Sequence, residues 1–195
     1  MITDVVLASG NPGKLRELHP ILAPLGMNLR PQSEFDMYDV DETGLSFVEN
    51  AILKARETSA HTGLPAIADD SGLEVDFLNG GPGIYSARYS GEGDEGNNAK
   101  LLRELNGVEP AQRTARYQCV LVYMRHPKDP VPIICQGAWE GRILEAPRGD
   151  GGFGYDPLFY VPTHDCSAAE LDKSVKNRIS HRAIASAKLL DALKG

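Results

Sequence analysis

The chain predicts a mixed α/β fold, and three observations carry that prediction. Short apolar runs alternate with segments of helical periodicity through residue 62, β-forming residues alternate over 115–143, and an amphipathic helical pattern closes the chain. With 195 residues and neither an internal repeat nor a low-complexity linker, one α/β domain over residues 1–195 is expected, elongated or divided into two lobes. Chains of this size bury roughly 70% of their unfolded surface, enough for a sizeable core.

Taken in order, Asp4–Ala8 is a short apolar run, read as a buried strand. Ser9-Gly10-Asn11-Pro12-Gly13 turns the chain, and Lys14–Leu25 sets Leu15, Leu18, Leu22 and Leu25 at helical spacing with Gly26 as the stop. Met27–Arg30 is a second strand candidate, and Gln32–Gly44 is a polar, acidic loop. Ser46–Thr62 reads as a helix whose stripe is Phe47, Val48, Ala51, Ile52 and Ala55, ending at Gly63. Pro65–Ala68 is a strand that ends at an aspartate doublet, and Leu73–Phe77 continues it as a hairpin. Asn79–Gly83 is a tight loop, Asp94–Leu105 a helix, and Ala115–Met124 and Pro132–Ile143 are strands, the latter carrying Trp139. Gly149–Tyr160 is glycine-rich and aromatic, and His181–Leu193 is the closing helix.

Bulk properties narrow the function. A net charge of −7 and a pI of about 5.2 provide no basic face for duplex nucleic acid, so an anionic substrate needs local Lys and Arg or a metal. Apolar runs fall far short of the ~20 residues of a membrane span. Met1-Ile2-Thr3-Asp4 lacks the basic and apolar regions of a signal peptide, and it is the reduced reading of the three cysteines that makes a cytoplasmic protein the expectation. Cys119, Cys135 and Cys166 are odd in number and lack CxxC spacing; they read as reduced, with Cys119 and Cys135 in the core.

The most informative local feature is Asp69-Asp70-Ser71-Gly72. Two adjacent carboxylates beside a buried strand must stay solvated, find partners or hold a cation. Together with Glu42 in Asp39–Gly44 they offer oxygen ligands without a His or Cys cluster, which points to Mg²⁺, with Mn²⁺ as a substitute, and not to zinc. Ser9-Gly10-Asn11-Pro12-Gly13-Lys14 joins a strand to a helix and reads either as an ordinary turn or as a phosphate loop, with helix N–H groups and the Lys14 charge facing an anion. It is not a Walker A loop, because the glycine spacing differs and Leu15 stands where Ser or Thr would hold magnesium. Asn50 and Lys54 lie one helical turn apart, and Lys54 reads as a surface lysine or a phosphate contact. Arg88, between Tyr85 and Tyr89, is a candidate anion contact. In Gly151–Pro157, Phe153 and Tyr155 offer faces for base stacking or plug an aromatic core. Lys176, His181 and Arg182 follow; the Arg182 guanidinium donates and never accepts, which suits a carbonyl oxygen or a phosphate.

Together these segments resemble the inosine triphosphate pyrophosphatase family, the noncanonical purine NTP (dITP/XTP) pyrophosphatases. The resemblance rests on SGNPGK at 9–14, ETG at 42–44, FVENAILKA at 47–55, IADDSG at 67–72, GPGIYSARY at 81–89, GGFGYDP at 151–157 and SHR at 180–182. Position 9 is Ser where many members have Thr, and both supply a hydroxyl. The resemblance implies a long central mixed sheet with helices around it, two lobes flanking an active-site cleft, and a homodimer. It implies Mg²⁺-dependent hydrolysis of ITP, dITP and XTP to the monophosphate and pyrophosphate. It places Ser9, Gly10, Asn11, Pro12, Gly13 and Lys14 on the triphosphate, Glu42 and Asp70 on the metal, and Ser71 on the substrate. Asp70 is also the implied proton acceptor, and Asp69 a supporting residue. Phe153, Gly154, Tyr155, Asp156, Lys176, His181 and Arg182 form the implied nucleoside side. The rivals are a related pyrophosphatase of other base specificity and a nucleotide sensor without turnover; the acid set at Glu42, Asp69 and Asp70 speaks against the sensor.

Overall fold

A computed structural model describes residues 3–194, without the side chains of Pro12 and Glu17. Its strands are β1 (Thr3–Leu7), β2 (Met27–Pro31), β3 (Ala66–Val75), β4 (Thr114–Met124), β5 (Ile133–Ile143), β6 (Phe159–Val161) and β7 (Cys166–Ser167). The helices are α1 (Pro12–Leu22), α2 (Phe47–Thr62), α3 (Gly93–Glu104), α4 (Lys173–Ile179) and α5 (His181–Lys194). Among the described residues one seven-stranded sheet forms, in the order β2-β1-β3-β4-β5-β6-β7. It is mixed: β1 runs parallel to β2 and β3, while β5, β6 and β7 pair antiparallel. The predicted α/β class and central mixed sheet are therefore present.

The chain clusters into two compact units. The first comprises residues 1–70, 119–137 and 182–195. Here the sheet is covered on both faces, and strand alternation sorts the residues. Val5, Leu7, Ile67, Cys119, Leu121 and Tyr123 pack with Leu18 and Leu22 of α1 and Ala185 and Leu189 of α5. On the other face Ala68, Val120, Val122 and Met124 pack with Ala51 and Ala55 of α2. Cys119 and Cys135 are core residues, as their strand positions imply.

The second unit comprises residues 71–118 and 138–181. Its core joins Leu73 and Val75 of β3, Leu101 and Leu105 of α3, Tyr117, Trp139, Ile143, Tyr155 and Phe159.

Three sequence expectations are corrected. β3 is one ten-residue strand through Val75, not a short strand and a hairpin, so the Asp doublet lies mid-strand. The Ser-Gly pair after it looks like a turn, yet the strand continues because Leu73 and Val75 have a core to enter. The first helix spans Pro12–Leu22, earlier at both ends than the leucine spacing implies; Asn11 caps its start and Ala23–Leu25 tightens into a 3-10 turn around Pro24. Lys176 precedes the last helix and lies in a short helix of its own, α4. The short strands β6 and β7 lie in stretches not read as strands beforehand.

Candidate functional site

Alternation along β3 divides the doublet between the two faces of the sheet. Asp69 shares the α1/α5 face. Its carboxylate is fully buried and forms an ion pair with Lys14 of α1 and another with Arg182 Nε of α5 at 3.0 Å; Cys119 Sγ lies 3.4 Å away. Burial alone would raise this carboxyl, but the Lys14 and Arg182 charges outweigh it and hold Asp69 well below the usual carboxylate range. A buried carboxylate is tolerable only with such partners.

Asp70 takes the α2 face. Its Oδ1 is 2.8 Å from Lys54 Nζ, and the same ammonium lies 2.8 Å from Glu42 Oε1 and 2.9 Å from the Asp69 carbonyl oxygen. Two carboxylate oxygens thus converge on one point. Burial pushes Asp70 up to about 6; the Lys54 charge opposes this, and the Glu42 and Asp69 charges add to it. Burial works against the charge on Lys54, yet Asp70 and Glu42 keep its ammonium above the ordinary lysine value.

The Glu42 loop is tied to α2 by local chemistry. Ser46 caps the helix by accepting from Glu49 N–H, and the Glu49 carboxylate accepts from Leu45 N–H at 3.0 Å and from the Ser46 hydroxyl at 2.7 Å. Buried Asn50 accepts from Gly44 N–H at 2.8 Å. A Cβ at Gly44 would stand 2.6 Å from Glu49 Cβ and 2.7 Å from Asn50 Oδ1, so only glycine lets the loop lie this close. The donor set, two carboxylate oxygens drawn together around a single cationic group, suits a hard divalent cation.

In the 9–14 segment, Ser9 Oγ accepts from Asn11 N–H at 3.1 Å and Asn11 Oδ1 accepts from Gly13 N–H at 2.8 Å, so both side chains fold the turn onto the start of α1. Pro12 occupies the first helical turn, where its missing N–H is harmless; its side chain lies outside what is described. Gly10 is exposed, and Lys14 reaches over to Asp69. Ser71 sits half-buried in β3 beyond the doublet.

In the second unit, Asp156 is buried and gathers the aromatic loop. It pairs with Lys176, accepts from Phe153 N–H at 2.9 Å, and lies 3.3 Å from the Tyr117 hydroxyl. Gly152 has φ 78°, and a Cβ there would come within 2.1 Å of the Asp156 carboxylate. Gly154 N–H donates to Asp94 and its carbonyl accepts from Asn98, pinning the loop to α3. The two aromatic candidates part company: Tyr155 is a core residue whose hydroxyl donates to Ser86 O, whereas Phe153 is 59% exposed with Lys176 Nζ 4.7 Å from its ring centroid. His181 lies almost parallel to Tyr117, with centroids 4.8 Å apart and planes 14° apart, and farther from Trp139 at 6.4 Å. Arg88 lies over Tyr85.

The structure therefore groups Lys14, Asp69 and Arg182, then Glu42, Lys54 and Asp70, then Phe153, Asp156 and Lys176. Sequence reasoning did not single out Tyr117 beneath His181; its place two residues before Cys119 on an alternating strand is the signal available. A separate depression of about 520 Å³, lined by Tyr38, Asp39, Asp41, Leu53, Glu57 and His61 among others, involves none of the predicted site residues.

The geometry is that of a carboxylate–lysine centre carried on an α/β sheet. The Ham1 family model matches residues 5–192, and the chain belongs to that family. It is 59% identical over 193 residues to a dITP/XTP pyrophosphatase of Thioalkalivibrio sulfidiphilus, with 98% of each chain covered. It is 60% identical to one of Pseudomonas syringae pv. tomato, covering 93% of this chain and 92% of that one. Among solved structures, a HAM1 protein from Coxiella burnetii aligns with a TM-score of 0.94 at 48% identity and 98% coverage of both chains. A nucleoside-triphosphatase / dITP/XTP pyrophosphatase from Mycobacterium abscessus aligns with a TM-score of 0.82 at 41% identity, covering 97% and 99%.

Proposed function

We propose that this chain hydrolyses ITP, dITP and XTP to the nucleoside monophosphate and pyrophosphate, removing deaminated purines from the nucleotide pool. The observation that carries the reading is the convergence of Glu42 and Asp70 on one cationic point at 2.8 Å each, in a chain whose relatives are named for this activity.

Glu42 and Asp70 would hold Mg²⁺, or Mn²⁺ in its place. The ion would neutralise phosphate charge and lower the pKa of bound water. Asp70 accepts the proton of the water that attacks the α-phosphorus. Lys14 and Lys54 supply positive charge to the leaving pyrophosphate, and Ser9–Gly13 present backbone and hydroxyl groups to the triphosphate. Ser71 contacts the substrate.

Phe153 stacks on the purine, while Gly154, Tyr155 and Asp156 shape its loop and Lys176 closes it. His181 and Arg182 donate to the C6 carbonyl of hypoxanthine or xanthine. Adenine presents an amino group there, and mismatched polar groups in a closed site can cost ~10⁴-fold. Asp69 orients the Arg182 guanidinium through their 3.0 Å contact. No helix of the described residues is long and apolar enough to cross a membrane. The remaining parts of the reading are one catalytic domain, a homodimer, and a cytoplasmic location, acting on free nucleotides without nucleic acid or membrane partners.

The test offers purified protein dITP, XTP, dGTP, ATP and dUTP with Mg²⁺ and identifies the products. Pyrophosphate released preferentially from dITP and XTP is the expected result. Orthophosphate release, or equal rates on all five, would reject the reading. Asp70→Asn should keep the fold and lose at least ~10²-fold in turnover.

A further inference from the structure

We infer that Lys54 is a resident counter-ion that the divalent cation must displace, so that metal entry and release of this lysine are one exchange. The inference rests on Glu42 and Asp70 being the metal ligands. Lys54 Nζ meets three acceptors, one for each ammonium proton: Glu42 Oε1 and Asp70 Oδ1 at 2.8 Å and the Asp69 carbonyl oxygen at 2.9 Å. Its side chain is only 12% exposed, so water competes little for these bonds.

A magnesium ion binds carboxylate oxygens at ~2.0–2.1 Å. An ion that close to the two oxygens lies within about 5 Å of Nζ, where two positive charges in a poorly solvated site repel strongly. The same oxygens do not serve both cations at full strength. Lys54 has a flexible four-carbon stem on α2 and can swing, whereas the carboxylates sit on a strand and on a loop pinned by Asn50. The lysine therefore leaves when the metal arrives, and its ammonium becomes available to the phosphate oxygens of the nucleotide. Before that exchange it holds two mutually repelling acids together, keeping the metal ligands convergent in a chain of net charge −7.

Two measurements on nucleotide-free protein test this. The first is Mn²⁺ affinity by electron paramagnetic resonance for wild type, Lys54→Met and Glu42→Gln. Lys54→Met should bind Mn²⁺ about tenfold more tightly, although it removes a residue assigned to turnover. Glu42→Gln should bind it more weakly. If Glu42→Gln loses affinity and Lys54→Met gains none, the metal site stands and the exchange is refuted. If Glu42→Gln leaves Mn²⁺ affinity unchanged, the ligand assignment falls and takes the exchange with it. The second measurement needs no variant: a pulse of acetic anhydride on the wild-type chain, read residue by residue by mass spectrometry. Lys54 labelling should rise severalfold when Mn²⁺ is added. Labelling that is unchanged or reduced would overturn the inference.

Discussion

Asp69→Asn offers the sharpest test of how the site is held together. The wild-type carboxylate is fully buried and shared between Lys14 and Arg182, whose side chains are 17% and 11% exposed. The substitution keeps the shape but removes the negative charge, leaving two buried cations facing a neutral amide. Breaking a buried pair by removing one partner costs about 3–5 kcal/mol. That is a large part of the ~5–15 kcal/mol that holds a typical protein folded. For a chain of this size each kcal/mol moves the melting temperature by ~2–4 °C, so a fall of about 6–20 °C is expected. The assay is urea and thermal denaturation followed by circular dichroism, with Asp76→Asn as the control. Asp76 pairs with Arg116 at the surface, its side chain 46% exposed, and its loss should cost less than about 1 kcal/mol. Adding Lys14→Met to Asp69→Asn should cost less than the sum of the two single changes, because it removes one of the stranded charges. An Asp69→Asn protein within about 1 kcal/mol of wild type would refute the account of Asp69 as the anchor of both cations.

The remaining predictions concern pH, the acidic loop and the exposed ring. Because Asp69 is depressed, its contribution to stability is complete above the ordinary carboxylate value of 3.8 and fades as pH falls below it; the Asp69→Asn penalty should shrink between pH 7 and pH 2 in urea titrations, and a constant penalty would contradict the assignment. Gly44→Ala places a Cβ 2.6 Å from Glu49 Cβ, and should cost ~1–3 kcal/mol while weakening Mn²⁺ binding by moving Glu42; unchanged binding would separate the loop from the ligand set. Phe153→Ala should leave stability within ~0.5 kcal/mol of wild type, the ring being exposed. Its KM for dITP should rise roughly 5- to 150-fold, the equivalent of the ~1–3 kcal/mol of a base stack, and an unchanged KM would remove Phe153 from the base-binding set.

Much of the fold was legible because it is written in local periodicity. Leu15, Leu18 and Leu22 announce α1, the stripe from Phe47 to Ala55 with Gly63 announces α2, and alternation announces β4 and β5. What stayed hidden depends on partners remote in sequence. Nothing near Asp69 reveals that a strand can pass straight through two carboxylates, because the neutralising cations lie 55 residues earlier and 113 residues later. The doublet therefore resembled a strand end. β6 and β7, at three and two residues, are too short to show alternation at all. Phe153 and Tyr155 look equivalent in Gly151–Pro157; only the packing of Tyr155 against the Ser86 carbonyl tells them apart. The residue types of the candidate site were readable, since its carboxylates and a lysine one turn from Asn50 are visible in the text of the chain. Their pairing was not: Lys54, read as a surface lysine or a phosphate contact, bridges Glu42 and Asp70.

The bond between Asp69 and Arg182 also sets a calendar for synthesis. The ribosome releases β1, α1, β2, α2 and the first half of β3 ahead of all the other elements described, yet the unit they belong to is sealed by residues 119–137 and 182–195. When Asp69 first emerges, Lys14 is already there and Arg182 has not been made. The other unit has all its residues by position 181, one step before that arginine. The earlier-translated of these segments thus belong to the unit completed later, and a chain stalled before Arg182 would expose the strand faces that α5 is meant to cover, in the form most open to aggregation and proteolysis.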